Sequence, residues 1–459
     1  MSDIKINTQE NKMATSKMLP LVIGMSLPAM FSMLIQALYN VVDSMFVAHI
    51  NKSAFTAVSL AFPLQLIMIS FAVGTSVGVN SLIARCLGAK NFKNANSAAS
   101  HGMLLAFLNW ILFFWIGLFI SKKFISLFTQ DITVINYGTQ YLHIVLCSSV
   151  GLMYSCMGEK TLQATGNMLF PMLSQTLGAV INIIFDPLLI FGIGFLPKLE
   201  VAGAAIATVF GQICSMIFIL VLIKKKDHDI KISFKKFKLD IQIIKDIYVV
   251  GFPAIIMQCV GSVMVSGINA IIYMSDVTNQ TAYINSFGAY FKLQSFVFMP
   301  VFGLNQGVSP VIGYNYGAKD KKRMYSAFKI GILVAVVIMS LGLLLFQLGS
   351  GWLLSLFDAD EMMLSVGKTV FKIISLSFVL AAVGIMFSTL FQAVGKGFYS
   401  LLMSFCRQLI VLLPLAYFLS KIDMMAMWYA FPLAEFGSIT VALLLFMRLR
   451  KKEFKCLDT

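Results

Sequence analysis

The sequence predicts an all-α membrane protein, with twelve transmembrane helices in two parallel-repeat six-helix bundles around a central cavity. Three observations carry this prediction. Apolar residues make up 59% of the chain and charged residues only 12%, about half the charged share of an average soluble protein. Mostly apolar runs of about 20 residues, long enough to cross a bilayer core, recur from end to end. One set of residues also appears twice, at a constant offset of 229 positions.

The spans run near 19–47, 55–82, 97–120, 133–157, 166–190, 201–223, 248–273, 283–311, 325–348, 365–389, 398–420 and 424–447. Each can cross with some tilt. The first 18 residues are polar, and the apolar run after them is too long for a signal peptide, so it reads as a retained first helix. Pro28, Pro63, Pro187, Pro253, Pro300 and Pro414 fall inside spans and are expected to kink them, with neighbouring groups satisfying the freed carbonyls. The 40 Phe and 28 Met suit helices that are apolar on nearly every face.

Charge placement sets orientation. The net charge of +15 does not form one solvated basic face, as a nucleic-acid binder would show. Lys and Arg fall instead in the short gaps between spans. Placing both termini in the cytoplasm puts about 25 of the 35 Lys/Arg there and about six opposite, a strong orientation bias. The stretch from Lys224 to Lys245 is the only long polar connector inside the chain. It divides the protein into a first bundle (1–223), a basic cytoplasmic linker (224–246) and a second bundle with a basic tail (247–459). Seven scattered cysteines show no metal or disulfide spacing.

The two halves align without a break. Leu64-Gln65 matches Leu293-Gln294, Gly74 and Gly78 match Gly303 and Gly307, and Gly88-Ala89-Lys90 matches Gly317-Ala318-Lys319. Ser126-Leu127-Phe128 matches Ser355-Leu356-Phe357, and Gln163-Ala164-x-Gly166 matches Gln392-Ala393-x-Gly395. Six spans per copy make these parallel repeats, a known transporter architecture. Rocking one bundle against the other would give alternating access. In the Gly-Ala-Lys pair the glycines are expected to permit tight turns.

These residues resemble the MATE (multidrug and toxic compound extrusion) transporters, in their bacterial MepA/DinF-like branch. The resemblance rests on Pro28-Ala29-Met30 through Leu38-Tyr39-Asn40-Val41-Val42-Asp43, Gly74…Gly78…Arg85, Gln163-Ala164-x-Gly166-Asn167, Asn182…Asp186-Pro187, Gly203-Ala204-Ala205-x-Ala207-Thr208 and Gly317-Ala318. It covers nearly the whole chain. It implies secondary active export of small organic, often cationic, compounds against inward H⁺ or Na⁺, with no cofactor. It also implies functional roles at Asp43, Asn182, Asp186 and Thr208. Some members carry acidic residues on their seventh and eighth helices. Here the seventh span carries no charged residue and the eighth only Lys292, so coupling should rest on the first half.

The residues themselves support that placement. A charged group in hydrocarbon costs at least about 2.5–3.5 kcal/mol on insertion scales, which makes an intramembrane carboxylate a functional candidate. Gln36, Asn40 and Asp43 are spaced four and three apart, on one helical face. Asn182 and Asp186 lie one turn apart, and Pro187 frees the carbonyl of Ile183. Thr208 and Gln212 repeat the spacing on the sixth span. All three spans offer oxygens at similar depth in the outer half, which suits proton capture or hard-cation ligation. Two close carboxyls can share one proton and titrate as a pair.

In the second half, Lys292, Arg407 and Glu435 lie near mid-depth, which predicts a buried charge cluster linking spans 8, 11 and 12. Asp43 aligns there with Ile268 or Ile272. His101 and His143, at helix starts, read as bystanders. No phosphate-binding loop, catalytic triad or metal-ligand spacing is present, so the chain is expected not to be an enzyme. The expected setting is the cell membrane, multi-pass and monomeric, with lipid and small organic substrates as partners and no nucleic acid. The competing reading is a flippase or exporter for a lipid-linked or other endogenous metabolite.

Overall fold

The computed structural model describes residues 11–192, 197–225, 230–232, 237–275, 280–356 and 360–454. The described part of the chain is helical and contains no strand. Ten helices are long and apolar enough to cross a membrane, and two bent pairs raise the number to twelve if each pair is one span. The first bundle contains α1 (Met18–Ala48), α2 (Lys52–Gly88), α3 (Phe92–Phe119), α4 (Ile132–Cys147 with Val150–Ala164), α5 (Leu169–Phe191) and α6 (Val201–Lys225). The second contains α7 (Ile241–Tyr273), α8 (Gln280–Gly317), α9 (Lys321–Ser355), α10 (Glu361–Ser375 with Phe378–Ala393), α11 (Gly397–Ile422) and α12 (Ala426–Lys452).

Chemistry at the helix ends repeats with the sequence. Asn91 starts α3 by accepting from the Asn94 N–H, and Asp320 starts α9 by accepting from the Arg323 N–H. Asp131 and Asp360 do the same for α4 and α10. Each such cap satisfies an orphan donor of the first turn and is worth about 1 kcal/mol. The Gly-Ala-Lys expectation needs correction. The left-handed residues are Lys90 and Lys319, with φ of 56° and 59°, while Gly88 and Gly317 remain helical. Their missing side chains serve packing: Gly88 lies against Tyr314 and Gly317 against Arg85, each in the opposite half.

α1, α2, α5, α7 and α8 each run as one helix through Pro28, Pro63, Pro187, Pro253 and Pro300. The sharp bends, 44° and 45°, fall between Cys147 and Val150 and between Ser375 and Phe378, at the matched serines Ser148 and Ser377. Serine pairs are a recognised source of kinks because their hydroxyls compete for backbone carbonyls. Ser377 Oγ donates to the Ile374 carbonyl at 2.7 Å. Pro414 acts by another route. The preceding Cys406–Leu412 is wound as a π-helix, which accommodates a ring that cannot join the regular ladder.

The bundles meet mainly through α1 against α8 and α2 against α7. Both contacts are built on Gly-x-x-x-Gly, the spacing that lets two membrane helices approach backbone to backbone. A Cβ on Gly74 would lie 2.7 Å from the Ile255 nitrogen, and one on Gly78 would lie 3.0 Å from that of Gly251. Their repeat mates Gly303 and Gly307 press on Met30 and Ser26. Since Gly251 and Ile255 hold the places of Ser26 and Met30, the same register pairs Asp43 with Ile268.

The N-terminal turn seals one end of this contact. Asn11 donates to the Thr165 carbonyl in the first half, while Arg323 of the second half donates to the carbonyls of Met13 and Ser16 at 3.0 and 2.8 Å. The linker is anchored on the first bundle: the Lys231 N–H bonds Asn96, and the Asp240 N–H bonds His101 Nε2 at 2.9 Å. His101 therefore holds the linker. Lys245 and Asp246, expected in the linker, already belong to α7. Linker residues 226–229 and 233–236, Lys5 and Lys455 lie outside the described residues.

Candidate ion-coupling site

Three helices of the first bundle bring oxygen groups to one place. α5 and α6 can approach because glycines face each other: a Cβ on Gly211 would sit 2.6 Å from the Gly178 carbonyl oxygen. That approach places Asn182 beside Thr208 across the contact and Asp186 one turn further along α5. The three are 2%, 4% and 0% exposed. With its amide oriented to match its neighbours, Asn182 donates to Asp186 Oδ2 at 2.8 Å and accepts from the Thr208 N–H at 3.0 Å and hydroxyl at 3.2 Å. This network holds Asp186 in a fixed position.

α1 supplies the second carboxyl. The Asp43 and Asp186 side chains lie close enough to act on each other. Two ionised carboxylates so placed repel, and one proton shared between them would relieve that repulsion. Asp43 Oδ1 is also buried with no donor facing it. An acceptor left open in a dry site is costly unless a proton or cation serves it. Such an arrangement has the chemistry to take up one positive charge.

Sequence reasoning passed over part of the wall. Tyr39, one turn before Asp43, lies beside Thr208 and close enough to both carboxyls to feel their charge. Tyr141 on α4 also lies within range of both carboxyls and donates to Gln65 Oε1 on α2 at 3.4 Å. Tyr39 stood within the motif that carried the resemblance and Gln65 within the repeat signature. Neither spacing distinguishes a hydroxyl aimed at a carboxyl from an ordinary packing tyrosine.

Other candidates fall elsewhere. Gln36 and Asn40 are exposed on α1. Gln212 is one turn below Thr208 with its Oε1 buried and without a partner, and its backbone lies against Gly151 of α4. In the second half, Arg407 and Glu435 form an ion pair at 2.9 Å between α11 and α12. Arg407 sits in the π-helical segment, whose extra residue re-aims the side chains around it. Glu435 Oε2 remains buried without a donor, beside Gly384 of α10. Lys292 is exposed on α8 and is not buried with this pair, which corrects the expected three-residue cluster.

Comparison with known proteins agrees with this architecture. The family model described as MatE matches residues 28–188 and 253–418, one segment in each half. The multidrug export protein MepA of Staphylococcus haemolyticus is 25% identical over 388 residues, covering 84% of each chain. A protein of Shewanella oneidensis named as an FAD transporter is 27% identical over 408 residues, covering 88% of each. Among solved structures, an outward-facing multidrug resistance MATE transporter superposes with a TM-score of 0.90 at 23% identity, over 98% of this chain and 99% of that one. A MOP superfamily transporter from Pyrococcus furiosus superposes equally well, at the same identity and coverage. The chain thus belongs to the MATE family, whose members are membrane transporters and not enzymes.

Proposed function

We propose that the protein is a secondary active multidrug exporter of the cell membrane, moving small organic compounds outward in exchange for inward H⁺ or Na⁺. In this reading both termini are cytoplasmic, which the bias of Lys and Arg supports, and the protein acts as a monomer. The observation that carries this reading is the close approach of Asp43 and Asp186, with Asp43 Oδ1 buried and open and Asp186 braced by Asn182. Support for export comes from the MepA relatives, which are named as multidrug export proteins.

The mechanism follows from the charge on the pair. Empty, the two carboxylates carry two negative charges and repel; one cation taken from the outer side and held between them lowers this to one. That removes the repulsion and lets α1, α5 and α6 repack. The first bundle then changes its contact with the second at the glycine seams, and access alternates. One charge moving inward through about 150 mV supplies roughly 3.5 kcal/mol, a concentration ratio of a few hundredfold for a neutral solute.

A second reading, export of an endogenous metabolite, is favoured by the Shewanella relative, which is named for FAD and not for drugs. Both readings share the coupling step. It is tested by dye export from proteoliposomes under separately imposed H⁺ and Na⁺ gradients, for the parent, Asp43→Asn and Asp186→Asn. Export by the parent should follow one of the gradients, and each variant should lose at least tenfold of it. Full gradient-driven export by both variants would remove the site from the mechanism.

A further inference from the structure

The far side of the first bundle carries a polar groove where lipid should lie. A cavity of about 490 Å³ is lined by Lys122, from the short helix Ser121–Ser126, and by Asn136, Thr139, Gln140, His143 and Ile144 of α4. Its direction follows from helical phase. Tyr141 turns toward Gln65 of α2, and Asn136, Thr139, Gln140 and His143 lie roughly 100–160° away from it around α4. On α2, Gly74 and Gly78 meet α7 and lie roughly 140–180° from Gln65. α2 therefore stands between α4 and the second bundle, and the groove opens away from that bundle, onto the membrane.

The groove stays polar at a depth that bulk water does not supply. Exposed Leu127, Phe128 and Ile132 mark the hydrocarbon boundary at this end. His143 stands about 16 Å further along α4 than Ile132, about half of a 30 Å hydrocarbon core. Lys122, Asn136, Gln140 and His143 are exposed, and none of their side chains bonds another described residue. Thr139 Oγ1 is buried with no partner. Open polar groups are costly in hydrocarbon, so the groove calls for an occupant that brings acceptors.

The second half repeats the feature. Asn136, Thr139, Gln140 and His143 match Ser365, Lys368, Thr369 and Lys372 of α10, all four exposed. Gly367 turns to Leu354 of α9 and Ser286 of α8, and the four lie roughly 100–160° from it, on the far side of α10. Lys122 matches Gly351, and a Cβ on Gly351 would sit 3.6 Å from Lys368 Nζ. An ammonium thus stands beside the matched position in both halves, although different helices supply it. The walls of the first groove hold no carboxyl; the second stripe has Glu361 at its outer end against Lys368 and Lys372. Lys and Arg are scarce at the helix ends opposite the linker, yet Lys122, Lys123, Lys368 and Lys372 gather here, against the bias that orients the chain.

We propose that these two lipid-facing stripes bind anionic phospholipids, one on each bundle. Lys122 in the first half, and Lys368 with Lys372 in the second, take the phosphate. The amides of Asn136 and Gln140, or the hydroxyls of Ser365 and Thr369, take headgroup and ester oxygens. The acyl chains lie along exposed Leu127, Phe128 and Ile132, or along Trp352 and Leu356. Charge decides between occupants. A phosphodiester brings acceptors and a negative charge to groups that lack both, and its chains belong in hydrocarbon. A second copy of this chain docking by the same face would set ammonium against ammonium. The stripes stand apart from Asp43 and Asp186, and lipid binding there needs nothing of the transport step.

The test uses the full chain in neutral detergent, titrated with phosphatidylglycerol, with zwitterionic phosphatidylethanolamine or with glycerol 3-phosphate, and bound molecules are counted by native mass spectrometry. The parent should hold two phosphatidylglycerols, each about tenfold more tightly than phosphatidylethanolamine, and retain no glycerol 3-phosphate. One ammonium beside an anionic lipid is worth about fivefold in affinity, so Lys122→Gln should weaken one site about fivefold, and Lys368→Gln with Lys372→Gln should weaken the other about twenty-five-fold. Lys122→Arg should bind like the parent. Equal retention of the two lipids by the parent would overturn the proposal before any variant is made. Glycerol 3-phosphate held as tightly as the lipid would put a soluble phosphate in its place. A dimer that sheds the lipid would assign the stripes to a second copy, and unchanged binding with all three lysines changed to Gln would move the lipid elsewhere.

Discussion

The two bundles share a skeleton and differ in what they bury. Their caps at Asn91 and Asp320, bends at Ser148 and Ser377, and seams at Gly74/Gly78 and Gly303/Gly307 coincide in register. At the core of the first bundle, a carboxyl meets a carboxyl with an oxygen left open. The second bundle sets a carboxyl against a guanidinium at 2.9 Å, and the position matching Asp43 is Ile268, 0% exposed. A carboxyl pair changes charge when a cation arrives. An ion pair is already neutral and has little reason to respond. The two frames are alike, and on the proposed mechanism only the first is switchable.

Experiments can break that comparison in order of size. The largest effect belongs to the coupling pair: an Asp43→Asn protein should lose gradient-driven export, and adding Ile268→Asp should not restore it. Restoration of export in the double variant would show that the two frames are interchangeable. Ile268→Asp alone buries a charge without a partner and should destabilise the protein by at least about 2.5 kcal/mol, read as a fall in thermal unfolding temperature in detergent. Next, Arg407→Ala leaves Glu435 buried and unpaired and should cost about 3–5 kcal/mol, whereas Arg407→Met with Glu435→Leu should be close to neutral. A double variant as unstable as the single would show that the pair does more than cancel charge. Smaller still, Gly307→Ala puts a Cβ onto Ser26 and should cost about 1–3 kcal/mol, with Gly78→Ala costing a similar amount at the matched seam.

The smallest effect lies outside the membrane. Tyr137 donates a hydrogen bond to Glu200, and with Lys198 at 3.2 Å it holds that carboxyl below its usual range. The sign follows from the lowered value. The contribution is present above the unfolded carboxylate range near pH 4.3 and fades as pH falls through the folded value. Glu200 is largely solvated, so Tyr137→Phe should change stability by well under about 1 kcal/mol, and only above that acidic window. A difference between the two proteins that grew on acidification would contradict this account.

Local readings and tertiary readings failed in different places. Span positions were legible because apolar length is a property of consecutive residues, and the sequence spans overlap the ten long apolar helices and the two bent pairs. Their ends were less legible: α2 extends to Gly88 and α7 begins at Ile241, because helices continue past the hydrocarbon where nothing stops them. The Gly-Ala-Lys expectation failed for a related reason: the glycines are contact points and not turns. Asp43, Asn182, Asp186 and Thr208 could be singled out because charge and amide groups are expensive in an apolar run. Tyr39, Tyr141 and Gln65 could not, since their role depends on what they face.

What the sequence determined by itself, then, is a membrane-crossing chain in two copies, with its basic ends gathered on one side and its few costly polar groups marked out. Hydrophobic length, charge bias and repetition are additive along a chain and need no partner to be read. The tertiary structure alone decided that Asp43 meets Asp186, that Arg407 meets Glu435 without Lys292, and that Lys160 reaches Gln306 across the seam. Each is a pairwise contact between residues far apart in the chain, set by how closely glycine allows two helices to approach and by the rotation at which they stop.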